Sequence, residues 1–314
     1  MDEPQLILRG ADALADALRA VAAAPRATAL LCDIDGTVSP IVSDPYKAVV
    51  PAPFRAALAA LAPRLGLLAF VTGRDVRQAA AMVGLEGVAY VGLHGFDRMA
   101  PDGAVTRDPA ARPYVDAVQR MARRVRRLDA ARLGLVVENK GPMLDLHYRQ
   151  AADPDATLAE LEAEVLRPAR DLGLAVATGH FLVELRPPVA IDKGTAVLSL
   201  LHSGAGDGAG SSGGGAPFQT AIFLGDDLTD CTGFAAVHEW ARKGGGGAQG
   251  GGAADGAEAA NEADAAPTAP RTAIAVAALT DETPRQVKDG ADVWVAATPG
   301  IYEVLTELLK ATRA

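Results

Sequence analysis

The sequence predicts an α/β protein: a doubly wound parallel sheet with a smaller α+β domain inserted into it. Three observations support this prediction. Short apolar runs recur along the chain and end in polar residues, helix-like segments separate these runs, and a central stretch repeats a helix-strand-strand pattern. Alternating strands and helices are typical of parallel sheets, which bind ligands beyond the carboxyl ends of their strands.

Four apolar runs are the expected core strands. Each is short and is followed at once by polar or glycine residues, as expected of buried parallel strands that carry functional groups at their ends. Helices are expected between them, for example over 53–61 and 75–83, where Gly84 suits a C-terminal cap. The runs are 27–32 before Asp33, 67–71 before Thr72, 88–93 before His94, and 221–224 before Gly225.

The middle of the chain carries the helix-strand-strand pattern twice. In the first copy, Lys140-Gly141-Pro142 is a hairpin-type connection, and the run after it alternates apolar and polar residues. The second copy begins with an Asp-Pro pair, which is typical of a helix start. Helices are expected near 113–128 and over 153–171, and strands over 135–139, 143–148, 174–178 and 181–186.

We therefore expect two domains. The core comprises residues 25–110 and 187–314, and the inserted domain comprises residues 111–186. Two stretches, 203–217 and 244–270, are rich in Gly, Ala and Ser, so we expect flexible loops without a hydrophobic core. A phosphate cradle at the Gly run within the second stretch is disfavoured, because no strand leads into it and no Lys-Ser/Thr pair follows.

Composition excludes several classes of function. The chain has 314 residues, of which 49% are hydrophobic, so it can bury a sizeable core. The net charge of −9 argues against nucleic acid or an anionic membrane as a partner. No apolar run reaches the roughly eighteen residues of a membrane span, and no signal-peptide pattern is present. Because Cys32 and Cys231 lack disulfide-framework spacing, we expect a cytoplasmic protein.

The strongest chemical signal is Asp33-Ile34-Asp35-Gly36-Thr37, in which two carboxylates follow an apolar run. A turn at Gly36 can bring both carboxylates towards one centre, where one attacks and the other moves a proton. An acidic turn without chemistry is the alternative. A calcium-binding EF-hand loop does not fit, because Gly36 comes too early for it.

Three further motifs offer groups for phosphate and metal binding. Thr72-Gly73 offers a hydroxyl and a flexible amide for phosphate oxygens, and Lys193 offers a point charge. Hard oxygen ligands at strand ends suit Mg²⁺, which we expect as the cofactor. One of the adjacent acids can instead cap the following helix. These acids lie in Gly225-Asp226-Asp227-Leu228-Thr229-Asp230.

The order of these motifs resembles that of the haloacid dehalogenase (HAD) superfamily. A helix-strand-strand repeat between the second and third motifs resembles the cap of its sugar phosphatases. Local strings resemble the trehalose-6-phosphate phosphatase family in particular, over about residues 28–277. They are Val38-Ser39-Pro40-Ile41, Val71-Thr72-Gly73-Arg74, Leu93-His94-Gly95, Glu138-Asn139-Lys140-Gly141, His147-Tyr148-Arg149, Glu184-Leu185-Arg186-Pro187 and the acidic string that begins at Gly225.

This resemblance implies a HAD-like core and Mg²⁺-dependent hydrolysis of trehalose 6-phosphate through an aspartyl phosphate. Asp33 would attack phosphorus, and Asp35 would protonate the departing sugar oxygen and then activate water. Thr72, Gly73 and Lys193 would hold the phosphoryl group. The expected metal-binding residues are Asp33, Asp35 through its backbone carbonyl, Asp226 and Asp227, with Asp230 in support.

Sugar recognition would fall mainly to the inserted domain as a cap. Lys140, Arg149 and Glu184 bring the charged donors and acceptors that a polyhydroxylated substrate requires, and His94 is a further candidate. Each of these residues can alternatively be a solvated charge on a half-exposed strand. The arginines of the first cap helix are interpreted as its solvated face.

One departure from the family concerns the fourth motif. After Asp230 the family usually continues with two acidic residues, whereas this chain has Cys231-Thr232, so the surroundings of the metal or the contacts of the cap can differ. Other sugar phosphates, such as sucrose phosphate or mannosyl-phosphoglycerate, would use the same motifs. The alternative to an enzyme is a catalytically silent regulator that binds a phosphosugar. The intact Asp33, Asp35 and Lys193 argue against this alternative.

Overall fold

The structure, a computed structural model, describes residues 6–42, 47–179, 181–204, 217–244 and 270–313. Most of the two stretches predicted as flexible loops, 203–217 and 244–270, therefore lies outside the described residues. Among the helices of the described ranges, none combines the length and apolar character needed to cross a membrane.

The chain divides into two compact units. The first comprises Met1–Ala104 and Asp192–Ala314, and the second comprises Val105–Ile191. The boundaries expected from the sequence, 111 and 186, lie a few residues inside the second unit.

The secondary structure of the described ranges alternates strands and helices along most of the chain. The strands are β1 (Ile7–Arg9), β2 (Thr28–Cys32), β3 (Leu67–Val71), β4 (Ala89–Gly92), β5 (Asp97–Met99), β6 (Val105–Arg107), β7 (Val136–Asn139), β8 (Leu144–His147), β9 (Ala175–Gly179), β10 (Leu182–Arg186), β11 (Thr220–Gly225), β12 (Thr272–Leu279) and β13 (Val293–Ala296). The helices are α1 (Ala11–Ala23), α2 (Ala52–Leu61), α3 (Val76–Val83), α4 (Val115–Val125), α5 (Pro154–Leu161), α6 (Arg167–Asp171), α7 (Lys193–His202), α8 (Asp230–Gly244), α9 (Arg285–Gly290) and α10 (Ala297–Ala311).

The sheet of the first unit is built around parallel strands. β13, β12, β11, β2, β3 and β4 lie side by side in that order and run parallel. β1 pairs antiparallel with β13, and β5 pairs antiparallel with β4. Strands β2, β4 and β11 are buried along their whole length, which explains their mostly apolar sequences.

Helices cover both faces of this sheet. On one face, Leu31 of β2 and Phe223 of β11 share an apolar cluster with Val197 of α7 and Trp240 of α8. On the other face, α1 and α10 contact β12, and α10 also packs against α2. Because β2 and β11 are neighbours, the residues that follow them meet at one edge of the sheet. The predicted doubly wound α/β core is confirmed.

The second unit is an antiparallel sheet in the order β7-β8-β10-β9, with helices on one face. Leu144 and Leu146 of β8 pack with Val125 of α4 and Val165 in a common core. Because side chains alternate along a strand, Asp145 and its neighbours lie on the opposite face. A π-helical segment, Glu162–Leu166, connects α5 to α6. The second unit therefore has the helix-strand-strand repeat that the sequence predicted.

Candidate active site

The first motif forms a tight turn directly after β2. The backbone N–H of Asp33 donates to the carbonyl of Leu224 in β11, at 2.8 Å, which fixes the start of the turn beside the neighbouring strand. Gly36 has a φ of 81°, a left-handed conformation that favours glycine. A Cβ atom at Gly36 would also lie 2.0 Å from Oδ2 of Asp226. Glycine is therefore needed both for the turn and for the close approach of Asp226.

Lys193 connects the first motif to the fourth. Its Nζ donates to Oδ1 of Asp33 and to Oδ1 of Asp230, both at 2.7 Å, and all three residues are buried. Asp192 and Thr195 form a capping box that fixes the first turn of α7, which carries this lysine. Burial acts to lower the pKa of Lys193, but the charges of Asp230 and Asp33 outweigh it and raise that pKa. The ammonium therefore stays charged between the two carboxylates.

Three carboxylates converge beside this lysine. Asp33, Asp226 and Asp230 each offer an oxygen, and these oxygens lie within 4.8 Å of one another. Burial, followed by repulsion from neighbouring carboxylates, raises the pKa of Asp226 to about 8. Burial also raises the pKa of Asp230 to about 6, and it raises the pKa of Asp33 well above its usual range. We call Asp33, Lys193, Asp226 and Asp230 the Lys193 cluster.

The donor atoms of the Lys193 cluster fit a hard divalent cation. The convergent ligands are all carboxylate oxygens, and a cation among them would offset the burial and the mutual repulsion that raise their pKa values. The hydroxyl of Thr37 donates to Oδ1 of Asp226 at 3.0 Å, which orients that carboxylate. These features suit Mg²⁺.

Asp227 has a different set of contacts. Its Oδ1 accepts hydrogen bonds from the N–H of Thr229 at 2.8 Å and from the hydroxyl of Thr229 at 2.7 Å. Although burial acts to raise it, the pKa of Asp227 is lowered by the charge of Lys193 and by these hydrogen bonds. Asp227 thus stabilises the start of α8, which is the capping role that the sequence left open. Direct metal binding by Asp227 stays a prediction.

Asp35 is held by an arginine for which the motifs suggested no role. Nε of Arg74 donates to Oδ2 of Asp35 and Nη2 donates to Oδ1, both at 2.6 Å, so the ion pair is bidentate. The side chain of Asp35 is 37% exposed, whereas that of Asp33 is 6% exposed. The two carboxylates of the first motif therefore have separate cationic partners. The sequence feature that could have identified Arg74 is its position, one residue after the expected phosphate-binding pair Thr72-Gly73.

The loops after β3 and β4 lie against each other. The N–H of His94 donates to the carbonyl of Thr72 at 3.0 Å, and the N–H of Arg74 donates to the Thr72 hydroxyl at 3.2 Å. Leu93 and His94 have positive φ angles of 52° and 58°, a strained conformation for non-glycine residues. A Cβ at Gly73 would lie 2.7 Å from the His94 ring. The predicted residues Thr72, Gly73 and His94 are thus brought together in the first unit.

Thr232, one of the two residues that replace the family's usual acidic pair after Asp230, has a packing role. The hydroxyl of Thr232 accepts a hydrogen bond from the N–H of Gly194 at 3.1 Å and donates to the carbonyl of Thr229 at 3.0 Å. A Cβ at Gly194 would lie 2.6 Å from the Thr232 carbonyl oxygen. Thr232 therefore holds the first turn of α7, which carries Lys193, tightly against the first turn of α8.

A second charged cluster lies on the face of the second unit's sheet that is opposite its helices. We call it the Lys140 cluster, and it consists of Glu138, Lys140, Asp145, His147 and Glu184. Lys140 Nζ lies 2.5 Å from Oδ2 of Asp145 and 3.6 Å from Oε2 of Glu138. Asp145 is paired in register with Glu138 on one side and with Glu184 on the other. Three carboxylates therefore lie side by side across three strands.

Two of the predicted sugar-binding residues, Lys140 and Glu184, belong to this cluster. Burial, followed by the charge of Asp145, raises the pKa of Glu184 to about 7. The third predicted residue, Arg149, is found over the ring of Phe181, with its guanidinium carbon 5.4 Å from the ring centroid. Asp145 and His147 were missed as candidates, although their alternation with the apolar Leu144 and Leu146 was visible in the sequence.

Solved structures identify the fold of this protein. A haloacid dehalogenase-like hydrolase from Bacteroides thetaiotaomicron superposes with a TM-score of 0.52 at 13% identity, covering 89% of this chain and 98% of that chain. The C-terminal domain of trehalose-6-phosphate phosphatase from C. albicans superposes with a TM-score of 0.66 at 22% identity, covering 98% of this chain and 99% of that chain. The fold is that of the haloacid dehalogenase-like hydrolases.

Sequence comparisons identify the family to which this chain belongs. The trehalose-phosphatase family model matches residues 31–255. The trehalose-phosphate phosphatase of Mycolicibacterium paratuberculosis is 36% identical over 236 residues, which is 75% of this chain and 56% of that protein. The chain belongs to the trehalose-phosphatase family, as the resemblance of its motifs predicted. It spans about half the length of the curated relatives it matches.

Proposed function

We propose that this protein hydrolyses trehalose 6-phosphate to trehalose and phosphate. The observation that carries the proposal is the Lys193 cluster, in which the buried Asp33 is held by Lys193 beside two further carboxylates at adjoining strand ends. Membership of the trehalose-phosphatase family supports the choice of substrate. A cytoplasmic location belongs to the same proposal and is supported by two cysteines that form no disulfide.

Asp33 is the nucleophile in the proposed mechanism. A carboxylate oxygen of Asp33 attacks phosphorus, the bond between phosphorus and the sugar oxygen breaks, and an aspartyl phosphate forms. Thr72 and Gly73 bind the phosphoryl oxygens through a hydroxyl and an amide. Lys193, already fixed on Asp33, supplies a positive charge where negative charge gathers in the transition state.

Asp35 moves the protons. It donates a proton to the departing sugar oxygen in the first step and takes a proton from water in the second, so that phosphate leaves and Asp33 is restored. Arg74 engages both carboxylate oxygens of Asp35. Each of these oxygens keeps a second lone pair, so Asp35 can carry the proton while Arg74 orients the carboxyl group.

Mg²⁺ is the proposed cofactor. Asp33 and Asp226 would hold it with the backbone carbonyl of Asp35, and Asp227 and Asp230 would orient these ligands. When bound, the ion supplies positive charge to the phosphoryl oxygens.

The second unit is proposed to recognise the sugar. Lys140 offers hydrogen-bond donors and Glu184 offers acceptors, and sugar hydroxyls need both. Arg149 is the third proposed contact, and its stacking on Phe181 holds its guanidinium in one orientation. His94, which lies against Gly73 in the first unit, is proposed to contact the substrate close to its phosphate.

A substrate panel tests the proposal. Phosphate release by the full chain is measured with trehalose 6-phosphate, sucrose phosphate, mannosyl-phosphoglycerate and p-nitrophenyl phosphate, with Mg²⁺ and with EDTA. We expect the highest kcat/KM with trehalose 6-phosphate, and activity only with Mg²⁺. Asp33→Asn should lose about a thousandfold or more in kcat, because an amide is a poor nucleophile. Asp281→Asn, at an exposed residue after β12, is the matched control and should retain activity.

The outcomes separate the alternatives. A preference for another sugar phosphate would reject the substrate but keep the mechanism. Near wild-type turnover in Asp33→Asn would reject the mechanism. Binding of sugar phosphates without any phosphate release would identify the chain as a silent regulator.

A further inference from the structure

Two polar side-chain atoms of the Lys140 cluster are buried without a hydrogen-bond partner. They are Oδ1 of Asp145 and Nε2 of His147. Asp145 is only 3% exposed, and its other oxygen, Oδ2, binds Lys140 at 2.5 Å. An unpartnered polar atom of this kind costs about 1–3 kcal/mol. A ligand that binds both atoms would remove that cost.

Glu138 completes a set of three ligands with these atoms. Asp145 and His147 occupy alternate positions of β8 and so point to the same face, and Glu138 is the partner of Asp145 on β7. The carboxylate oxygens and the imidazole nitrogen lie within 4.8 Å of one another. Oε2 of Glu138 lies 3.7 Å from Nε2 of His147, which is too long for a hydrogen bond. Two ligands of one tetrahedral ion, each bound at about 2.1 Å, lie about 3.4 Å apart, so this spacing suits a shared ion.

The charges of the cluster also favour a cation. Glu138, Asp145 and Glu184 bring three carboxylates to neighbouring strands, whereas Lys140 brings one ammonium. Arg186 approaches the far side of Glu184, with 3.6 Å between Nη1 and Oε1. Burial acts to lower the pKa of Lys140, but the surrounding carboxylates raise it, so the lysine already serves as the internal cation. A negative charge remains when these groups are ionised.

We propose that Glu138, Asp145 and His147 bind a transition-metal ion such as Zn²⁺, at a site separate from the Mg²⁺ ligands of the first unit. Two carboxylates and one imidazole are typical zinc ligands, and the imidazole selects against Mg²⁺, which prefers oxygen. The ion takes Oδ1 of Asp145 while Lys140 keeps Oδ2.

The bound ion inhibits sugar recognition. This consequence rests on the proposed function, in which Lys140 and Glu184 contact the disaccharide. The ion places a positive charge beside Lys140 and occupies carboxylate oxygens that would otherwise accept bonds from sugar hydroxyls. Zn²⁺ should therefore lower kcat/KM for trehalose 6-phosphate more than for an aryl phosphate, which has no disaccharide to recognise.

Metal binding is tested on the full chain without a histidine tag and with saturating Mg²⁺. Zn²⁺ affinity is measured by competition with a chromophoric chelator, and Cu²⁺ is used as a spectroscopic probe by electron paramagnetic resonance. We expect one ion with a nitrogen ligand, because the three carboxylates of the Lys193 cluster offer only oxygens and its lysine is a charged ammonium. His147→Gln and Asp145→Asn should each weaken Zn²⁺ binding about tenfold or more. His202→Gln, at the exposed end of α7, is the matched control and should bind as the wild type does.

Equal Zn²⁺ affinity in the wild type and in both folded variants would overturn the proposal, as would a Cu²⁺ spectrum of the wild type without nitrogen coupling. The spectrum needs no variant, so a folding defect in one of them leaves the test decisive. Zinc binding through His147 in a protein that does not hydrolyse trehalose 6-phosphate would keep the metal site and reject only the proposed function.

Discussion

The Lys193 cluster and the Lys140 cluster each place one lysine among three carboxylates, but they differ in how completely their polar atoms are partnered. Lys193 binds Asp33 and Asp230, and the second oxygen of Asp230 accepts two backbone N–H groups at 3.0 and 3.1 Å. In the Lys140 cluster, by contrast, Oδ1 of Asp145 has no partner. The lysine side chains are 3% and 15% exposed, respectively.

Position in the fold explains this difference. The ends of parallel strands meet the first turns of helices, so free backbone N–H groups and capping residues surround the carboxylates there. The face of an antiparallel sheet, by contrast, presents side chains alone, because its backbone N–H groups are used between the strands. The Lys193 cluster is therefore preorganised around one reaction centre, whereas the Lys140 cluster keeps acceptors for a ligand.

Removing Lys193 should have the largest effect. In Lys193→Met, Asp33 and Asp230 remain buried without their ammonium, which should cost about 3–5 kcal/mol of unfolding free energy in the absence of metal. Turnover should be lost as well. Urea denaturation and phosphate release measure both effects. Lys310→Met, at an exposed helix position, should leave stability and turnover unchanged. A Lys193→Met protein as stable as the control would refute the pairing of this lysine with two buried charges.

Arg74→Gln should slow the reaction without unfolding the protein. Loss of the bidentate contact removes the group that orients Asp35, and charged hydrogen bonds of this kind are worth about 1.5–3 kcal/mol, or roughly ten- to a hundredfold in kcat. The loss should be equal for trehalose 6-phosphate and for p-nitrophenyl phosphate, with KM nearly constant. Arg77→Gln, on the exposed side of α3, is the control. An unchanged kcat would show that Arg74 does not position Asp35.

Unlike Arg74→Gln, Lys140→Ala should reduce the hydrolysis of one substrate much more than that of the other. We expect kcat/KM for trehalose 6-phosphate to fall roughly ten- to a hundredfold, because a charged hydrogen bond to the sugar is lost. Hydrolysis of p-nitrophenyl phosphate should change little. Arg149→Ala should act in the same direction, and Arg132→Ala, exposed in the same unit, is the control. Equal losses on both substrates would remove these residues from sugar recognition.

The smallest expected effect is a pH dependence of stability. Burial raises the pKa of Glu184 from 4.5 to about 7, so the folded protein binds a proton that the unfolded chain has released. Stability contributed by this residue is therefore present at low pH and is lost as the pH rises from about 4.5 to about 7. Glu184→Gln should be more stable than the wild type at pH 8, by about 1–3 kcal/mol, but not at pH 4.5. Urea denaturation across this range measures the difference, and parallel pH profiles would contradict it.

The fold was largely predictable because burial leaves a direct pattern in the sequence. The apolar run 67–71 coincides with β3, and Gly84 is the C-terminal cap of α3 as predicted, with a left-handed φ of 69°. The helix predicted over 153–171 is interrupted by a π-helical segment for a physical reason. Pro168 has no N–H for the carbonyl of Glu164, and Arg124 donates to that carbonyl instead.

The residues of the candidate site were predictable from the sequence, but the contacts between their side chains were not. Sequence spacing places acids at strand ends without fixing the direction of their side chains. Asp230, expected only in support, converges with Asp33 and Asp226, whereas Asp227 binds the start of α8. The contact of Arg74 with Asp35 joins residues 39 positions apart, and only the tertiary structure brings them together.

The close approach of the first and fourth motifs has a consequence for the newly made chain. Thr37 and Asp226, which are hydrogen-bonded, are separated by 189 positions. At a synthesis rate of about 5–20 residues per second, the ribosome therefore needs roughly 10–40 s to make the chain between them. During this interval β2 lacks its neighbour β11, while the second unit, which has a core of its own, is synthesised in full. The reaction centre therefore cannot assemble before the whole second unit has been synthesised, and no nascent chain is active before that point.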